Sequence, residues 1–358
     1  MAGRRARARQ ARNRRRIIGW SIALVAVIGI AIAAAVVVPR LADRFSGPED
    51  FAGPGTGEVV VQVQPGDNGY AVAETLHEQG VIASTEAFTD ILIADPSIQL
   101  HPGAYRVQLE MSAQGALDAI LDPARKAELE VTVPEGFTLP QVYERLERDL
   151  GIPQAEFLQL ESDLARFDLP ADAVTLEGWL FPATYTFDEG VTAEGVLEAM
   201  IARQVQALDA AGVAEADRQR VLTFASLVQR EARLPDDFGR VARVFQNRLD
   251  IGMRLQSDAT VAYGTGNLHV VTTTAEERAD ADNPYNTYAR PGLPVGPIGA
   301  PGDVAIQAAL SPTEGDWLYF VTVNPDTGET VFSETLAEHN VAVQQFQQFL
   351  RDNPGWGG

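Results

Sequence analysis

The sequence predicts an α+β protein: one N-terminal transmembrane helix, one or two small α+β modules, then a mixed α/β domain with a glutamate borne on a helix. Three observations predict it. Residues 17–38 form an uncharged run of 22 residues. Downstream, β-branched runs alternate with stretches whose apolar residues recur at i, i+3, i+4 and i+7. In "FASLVQREAR" (224–233), Phe224, Leu227, Val228 and Glu231 share one helical face, while Gln229, Arg230 and Arg233 point largely elsewhere. A carboxylate at the end of an apolar stripe costs free energy unless it is protonated, paired or put to use.

The N-terminus sets the topology. Ten of the 28 basic residues and one of the 49 acidic residues lie in 1–44, leaving 18 basic against 48 acidic residues beyond. The run "MAGRRARARQARNRRR" is an Arg-rich tail over 1–16. By itself such a run suits nucleic acid. It is followed by "IIGWSIALVAVIGIAIAAAVVV", long enough at about 1.5 Å per residue to cross a hydrocarbon core of about 30 Å. That length exceeds the apolar region of a cleavable signal and predicts an uncleaved anchor over 17–38. Arginine on the leading side keeps the tail cytoplasmic and sends the acidic bulk outside the membrane, where it makes a poor nucleic-acid binder. A nucleic-acid tether survives only with inverted topology. Residues 39–57, rich in Pro, Gly and charge, read as a linker.

The first exported module is expected over 58–125. A strand at Val59–Val63 leads to a turn at Pro65-Gly66-Asp67, helices at about 69–79 and 84–94, a returning strand at 103–109 and a helix at about 112–121. A similar order begins at "LEVTVPEGFTLPQVYERLERDLGIPQAEFLQL", within about 128–165. In both places the strand-helix-helix-strand grammar resembles LysM-type sugar-binding modules, and glycan binding and a structural role both stand open.

The larger domain is expected over 126–350. In "LEGWLFPATYTF" (176–187), Trp179, Phe181, Tyr185 and Phe187 alternate as on a strand. They read either as core or as an aromatic platform for sugar rings. Helices dominate about 191–255, and a Gly-, Pro- and Asn-rich region over about 263–303 reads as a binding loop. A helix "DVAIQAAL", two strands around Pro325-Asp326-Thr327-Gly328 and a closing helix from about 334 complete the chain.

The absence of cysteine removes disulfides, thiolate metal sites and a cysteine nucleophile. Nucleophile-elbow, zincin and P-loop patterns are missing, and the four histidines lack ligand spacing, so neither metal nor cofactor is expected. Carboxylate chemistry remains. Desolvation beside Leu227 and Val228 would raise the pKa of Glu231 and suit it to acid/base work on a glycosidic bond. The alternative is an ion pair with Arg243 or Arg248 on the next helix. Two-carboxylate hydrolysis would need a partner such as Asp258 or Glu177, and Asp258 also fits a helix N-cap.

The segments "LEGWLFPATYTF", "ASLVQREA", "VFQNRL", "IGMRLQSDATVAYG", "YNTYARPGLPVGPIGAPG" and "LYFV", in this order after one membrane span, resemble the endolytic murein transglycosylases of the MltG/YceG-like family over about 58–345. The resemblance implies a lyase that cleaves the β-1,4 bond between N-acetylmuramic acid and N-acetylglucosamine in nascent peptidoglycan strands, leaving 1,6-anhydro ends and terminating elongation. It places the catalytic acid/base at Glu231. Many relatives carry Glu where this chain has Gln229, which lies about 200° from Glu231 around a helix. It implies substrate contacts from Glu177, Gln256, Ser257, Asp258, Tyr263, Asn286, Thr287 and Tyr288. Expected partners are peptidoglycan glycan strands, the membrane through one helix, and cell-wall synthesis proteins. The alternative is a non-catalytic, membrane-tethered peptidoglycan-binding scaffold.

Overall fold

The computed structural model describes residues 27–37, 47–268 and 273–353. The Arg-rich tail, half of the expected span, the start of the linker and the loop residues 269–272 lie outside them. Residues 27–37 are helical, and among the described residues no helix is long and apolar enough to cross a membrane. The chain forms two compact units, residues 1–127 and 128–358.

In the first unit, β1 (Pro54–Val63) pairs antiparallel with β2 (Gly103–Met111), from Pro54 opposite Met111 to Val63 opposite Gly103. Between them run α1 (Gly69–Glu78) and α2 (Thr85–Ala94), and α3 (Ala113–Leu121) follows. Side-chain caps start all three helices: Asn68 accepts from the Tyr70 and Ala71 amides, Ser84 from Ala87, and Ser112 from Gly115. Alternating valines Val61 and Val63 meet Leu76, Ile82, Phe88 and Leu117 in a closed core.

The second unit opens with the same order. β3 (Glu128–Thr132) leads to α4 (Leu139–Leu150) and α5 (Gln154–Glu161), and β4 (Thr184–Asp188) returns antiparallel to β3. The returning strand therefore lies beyond the boundary expected near 165. A Thr138–Gln141 capping box starts α4, and Gly151 in the left-handed region ends it. Val131, Tyr143, Leu146 and Phe157 pack with Leu197 of α6 (Ala193–Ala210).

The aromatic stretch is not a continuous strand. Residues 176–180 are turn and bend, and the strand begins at Thr184. Trp179 and Phe181 are buried in one core and Phe187 in another, where it stacks with Tyr185, rather than forming a platform. Turn geometry happened to reproduce the period of two that a strand would give.

The remaining elements are α7 (Arg218–Glu231), α8 (Phe238–Asp250), α9 (Asp258–Thr265), the short α10 (Ala275–Ala279), α11 (Asp303–Leu310), the hairpin β5 (Tyr319–Asn324)–β6 (Glu329–Ser333), and α12 (Leu336–Asp352). Phe224, Leu227 and Val228 of α7 join Phe245 of α8 and Ile306 of α11 in one core. Every strand pair among the described residues is antiparallel. The fold is thus α+β, and the second unit lacks the parallel pairing that α/β would require.

Candidate active site

Glu231 is the last residue of α7, the helix that the apolar stripe predicts. The stripe buries Phe224, Leu227 and Val228, which aims the following turn at a cleft of about 540 Å³ in the second unit. α7 is held along its length. The Ser226 hydroxyl accepts from the Ile298 amide at 3.0 Å, and the Gln229 side chain accepts from the Gly302 amide at 3.0 Å. The Gln229 amide also donates to Glu135 at 3.1 Å. Gln229 therefore pins a loop and does not line the cleft.

The carboxyl of Glu231 titrates above the usual carboxylate range, and desolvation is the main cause. The nearby Asp258 charge acts in the same direction, while Ser257, Arg230 and Arg248 oppose it. Its place at a helix C-terminus, where backbone carbonyls disfavour an anion, adds to the upward pressure. The expected ion pair does not form: among the described residues neither Arg243 nor Arg248 pairs with Glu231. Arg243 donates to the carbonyls of Thr313 and Pro312, and Arg248 to those of Leu318 and Leu255. Among the described residues Glu231 has no ion pair.

Of the other sequence-predicted site residues, Gln256, Ser257, Asp258 and Tyr288 line the same cleft. The Ser257 hydroxyl donates to the Glu231 carboxylate. Ser257 is the N-cap of α9, which puts Asp258 in the first helical turn instead of at the cap. Both Asp258 oxygens are taken by Arg278, at 3.0 Å each from Nε and Nη2. The Arg278 guanidinium also sits 5.1 Å from the Tyr288 ring centroid.

Glu177, Tyr263, Asn286 and Thr287 are placed behind the cleft wall rather than on it. Thr287 is buried and accepts from the Ser257 amide at 3.0 Å, while its own amide and hydroxyl meet Thr260. Asn286, fully buried, donates to the carbonyls of Glu277, Arg278 and Asp280. Glu177 accepts from the Leu139 amide and the Tyr263 hydroxyl, both at 2.8 Å. Burial pushes Glu177 up to about 7. It ties the start of α4 to the end of α9, away from the cleft, so it is not a partner across a bound glycosidic linkage.

Sequence reasoning missed Arg230, Tyr319 and His339, which also line the cleft, as does Arg248, which it had named only as an ion-pair partner of Glu231. The helical angle sends Arg230 off the Glu231 face, but its long side chain returns, donating to the Gly136 carbonyl at 3.2 Å. Arg248 and Tyr319 lay inside the quoted segments "VFQNRL" and "LYFV". His339 had no signal beyond its place on the last helix, where its ring stacks 5.2 Å from that of Tyr319. Among the described residues no cluster of His, Cys, Asp or Glu could hold a metal ion.

The arrangement defines a class: a protein with one desolvated, hydrogen-bonded carboxyl in an open polar cleft, whose neighbouring carboxylate is already paired. Residues 61–345 match the YceG-like family, and the chain belongs to it. The chain is 31% identical over 310 residues to an endolytic murein transglycosylase of Bacillus subtilis, covering 80% of this chain and 84% of that protein. It is 28% identical over 320 residues to an endolytic murein transglycosylase of Streptococcus pneumoniae, of which it spans 58%. The crystal structure of a YceG-like protein from Listeria monocytogenes superposes with a TM-score of 0.52 at 30% identity, covering 80% of this chain and 99% of that one.

Proposed function

We propose that the protein is an endolytic lytic transglycosylase of peptidoglycan, anchored in the membrane by residues 17–38 and acting outside it. It cleaves the β-1,4 bond between N-acetylmuramic acid and N-acetylglucosamine within nascent strands. The observation that carries this reading is Glu231: a carboxyl biased toward its protonated form, held by Ser257, in a cleft where the other carboxylate is neutralised. The names of its relatives point the same way.

The chemistry follows from those groups. Protonated Glu231 gives its proton to the glycosidic O4 as the C1–O4 bond breaks, and the bond's electron pair leaves with O4. The C6 hydroxyl oxygen of the same muramyl sugar attacks C1 and passes its proton to the Glu231 carboxylate. A 1,6-anhydro ring forms, no water is consumed, and Glu231 returns to its starting state. The carboxylate that exists between the two transfers is stabilised by the Ser257 hydroxyl and by the Arg230 and Arg248 charges. One carboxyl suffices because the substrate supplies the nucleophile.

The two β-α-α-β modules serve in this reading as LysM-like glycan-binding units, and the Arg-rich tail fixes the orientation of the anchor. The test is Glu231→Gln in the full chain. Release of anhydro-ended fragments from purified glycan strands should fall by about 10³-fold or more, with an unchanged melting profile. Wild-type turnover by this variant would end the proposal.

A further inference from the structure

Arg248 is 8% exposed, yet its guanidinium has no counter-ion among the described residues. Its protein acceptors are two neutral carbonyls, Leu318 at 2.6 Å from Nε and Leu255 at 2.6 Å from Nη1. The Tyr319 ring lies 5.3 Å from the guanidinium. Nη2 has no protein acceptor among the described residues, and the residue lines the cleft beside Glu231. Removing a cation from water without an anion is expensive, so an unmatched buried guanidinium marks a site kept for something other than stability.

The rest of the cleft does not supply the missing charge. Arg230 stands on the same wall with one bond, to the Gly136 carbonyl. Asp258 is matched by Arg278. Burial raises Glu231 above the ordinary carboxylate range, which favours its neutral acid, and burial and Arg248 hold His339 below the usual histidine range, which favours its neutral ring. Two uncompensated guanidinium charges thus sit together in a chain that carries 49 acidic residues against 28 basic ones.

A guanidinium fork matches a carboxylate in shape and charge. The sugar rings of a glycan strand offer neutral hydroxyl and N-acetyl groups. The anions of peptidoglycan are carboxylates on the branch at the muramyl O3, whether on the attached peptide or on the lactyl group itself. Resting on the reading of this cleft as a peptidoglycan site, we propose that Arg248 and Arg230 form a carboxylate-binding subsite for that acidic branch. The cleft then selects strands that carry free carboxylates next to the bond it cleaves.

The test uses the full chain and three purified glycan substrates: peptide-bearing strands, the same strands with every carboxylate converted to an amide, and strands stripped of peptide so that the lactyl carboxylate is exposed. Wild type should show a KM about tenfold lower for the free acids than for the amides, with similar kcat. Arg230→Gln and Arg248→Lys should each shrink that ratio, the latter because an ammonium keeps the charge but not the fork. A purely structural role for Arg248 would move both KM values together. Stripped strands that behave like the free acids show that the subsite also takes the lactyl carboxylate, and stripped strands that behave like the amides confine it to carboxylates of the peptide. Equal KM for free acids and amides in the wild type overturns the subsite, while turnover of both leaves the transglycosylase reading intact. If no strand yields new ends, that reading fails instead. Sedimentation of the strands with the Glu231→Gln protein then reads the carboxylate preference without turnover, and equal binding of acids and amides would overturn it.

Discussion

The Ser257 hydroxyl donates a hydrogen bond to the Glu231 carboxylate, joining the last residue of α7 to the N-cap of α9. Desolvation favours the neutral acid at Glu231, and this bond favours the anion. A group that must give a proton and then take one back benefits from both influences, since neither protonation state is far from reach.

Ser257→Ala removes the influence that favours the anion. The Glu231 pKa should rise further, and the alkaline limb of the kcat profile, where the acid loses its proton, should move to higher pH. The maximum should fall by about tenfold, because the transient carboxylate loses a hydrogen bond to a charged acceptor. A kcat–pH profile measured on both proteins checks the shift, and a limb that moves to lower pH would contradict this account.

Thr287 has no place on the cleft wall, yet its hydroxyl accepts from the Ser257 amide. Thr287→Val keeps the shape and loses that bond, so kcat should fall about tenfold with KM little changed. Because Thr287 acts through Ser257, the double variant with Ser257→Ala should cost less than the two single losses combined. Additive losses in the cycle would show that Thr287 does something else.

How much of this was legible in the sequence depended on where each residue finds its partners. The apolar stripe of α7 and the order of both β-α-α-β modules follow from periodicity and caps, which are local. Asn286 and Thr287 were expected on the cleft because the family resemblance implied substrate contacts there. Their partners are backbone groups and side chains made close by folding, and no spacing encodes those contacts. Arg248 was expected only as an ion-pair partner of Glu231, because helical spacing does not show which backbone groups a long side chain reaches. Its burial depends on the carbonyls of Leu255 and Leu318, which lie beyond its own helix. Trp179 and Phe181 misled for the opposite reason, since a turn placed them at the spacing of a strand.

Glu177 gives a stability test. Its pKa is raised by burial from an ordinary 4.5 to about 7. Between those values the unfolded chain releases a proton that the folded chain retains, so the contribution of Glu177 to stability is full below about pH 4.5 and is lost as pH rises through 7. The loss amounts to about 3 kcal/mol. In Glu177→Gln one amide oxygen can accept from both Leu139 and Tyr263. This variant should match wild type near pH 4.5 and be more stable by up to that amount at pH 8, as read from denaturant midpoints at both pH values. An equal fall in both proteins would refute the titration of Glu177 in this range.

Gly178 sits between this buried glutamate and the buried Trp179, with φ of 79°. A Cβ there would lie 2.6 Å from Cβ and 2.7 Å from Cγ of Pro297. A proline ring cannot swing aside as a flexible side chain would. Gly178→Ala should therefore lose about 2–4 kcal/mol, from backbone strain and overpacking together. Thermal unfolding checks it, and a change within error of zero would show that the 297 loop yields freely.

The number of free carboxyls in the cleft bears on the product. A hydrolase needs a second carboxylate to activate water or to attack C1, at a defined separation from the acid. Asp258 is the nearby candidate, and Arg278 occupies both of its oxygens. Glu177 is buried behind the wall and bonded to Leu139 and Tyr263. Glu231 is left without a visible partner, which favours attack by the substrate's own C6 hydroxyl. The new ends should then be lighter than hydrolysed ends by one water, about 18 Da. Digestion in water enriched in heavy oxygen should leave them unlabelled by mass spectrometry. Labelled reducing ends would show that water attacks C1, and would direct attention to Asp258 parting from Arg278 when glycan binds.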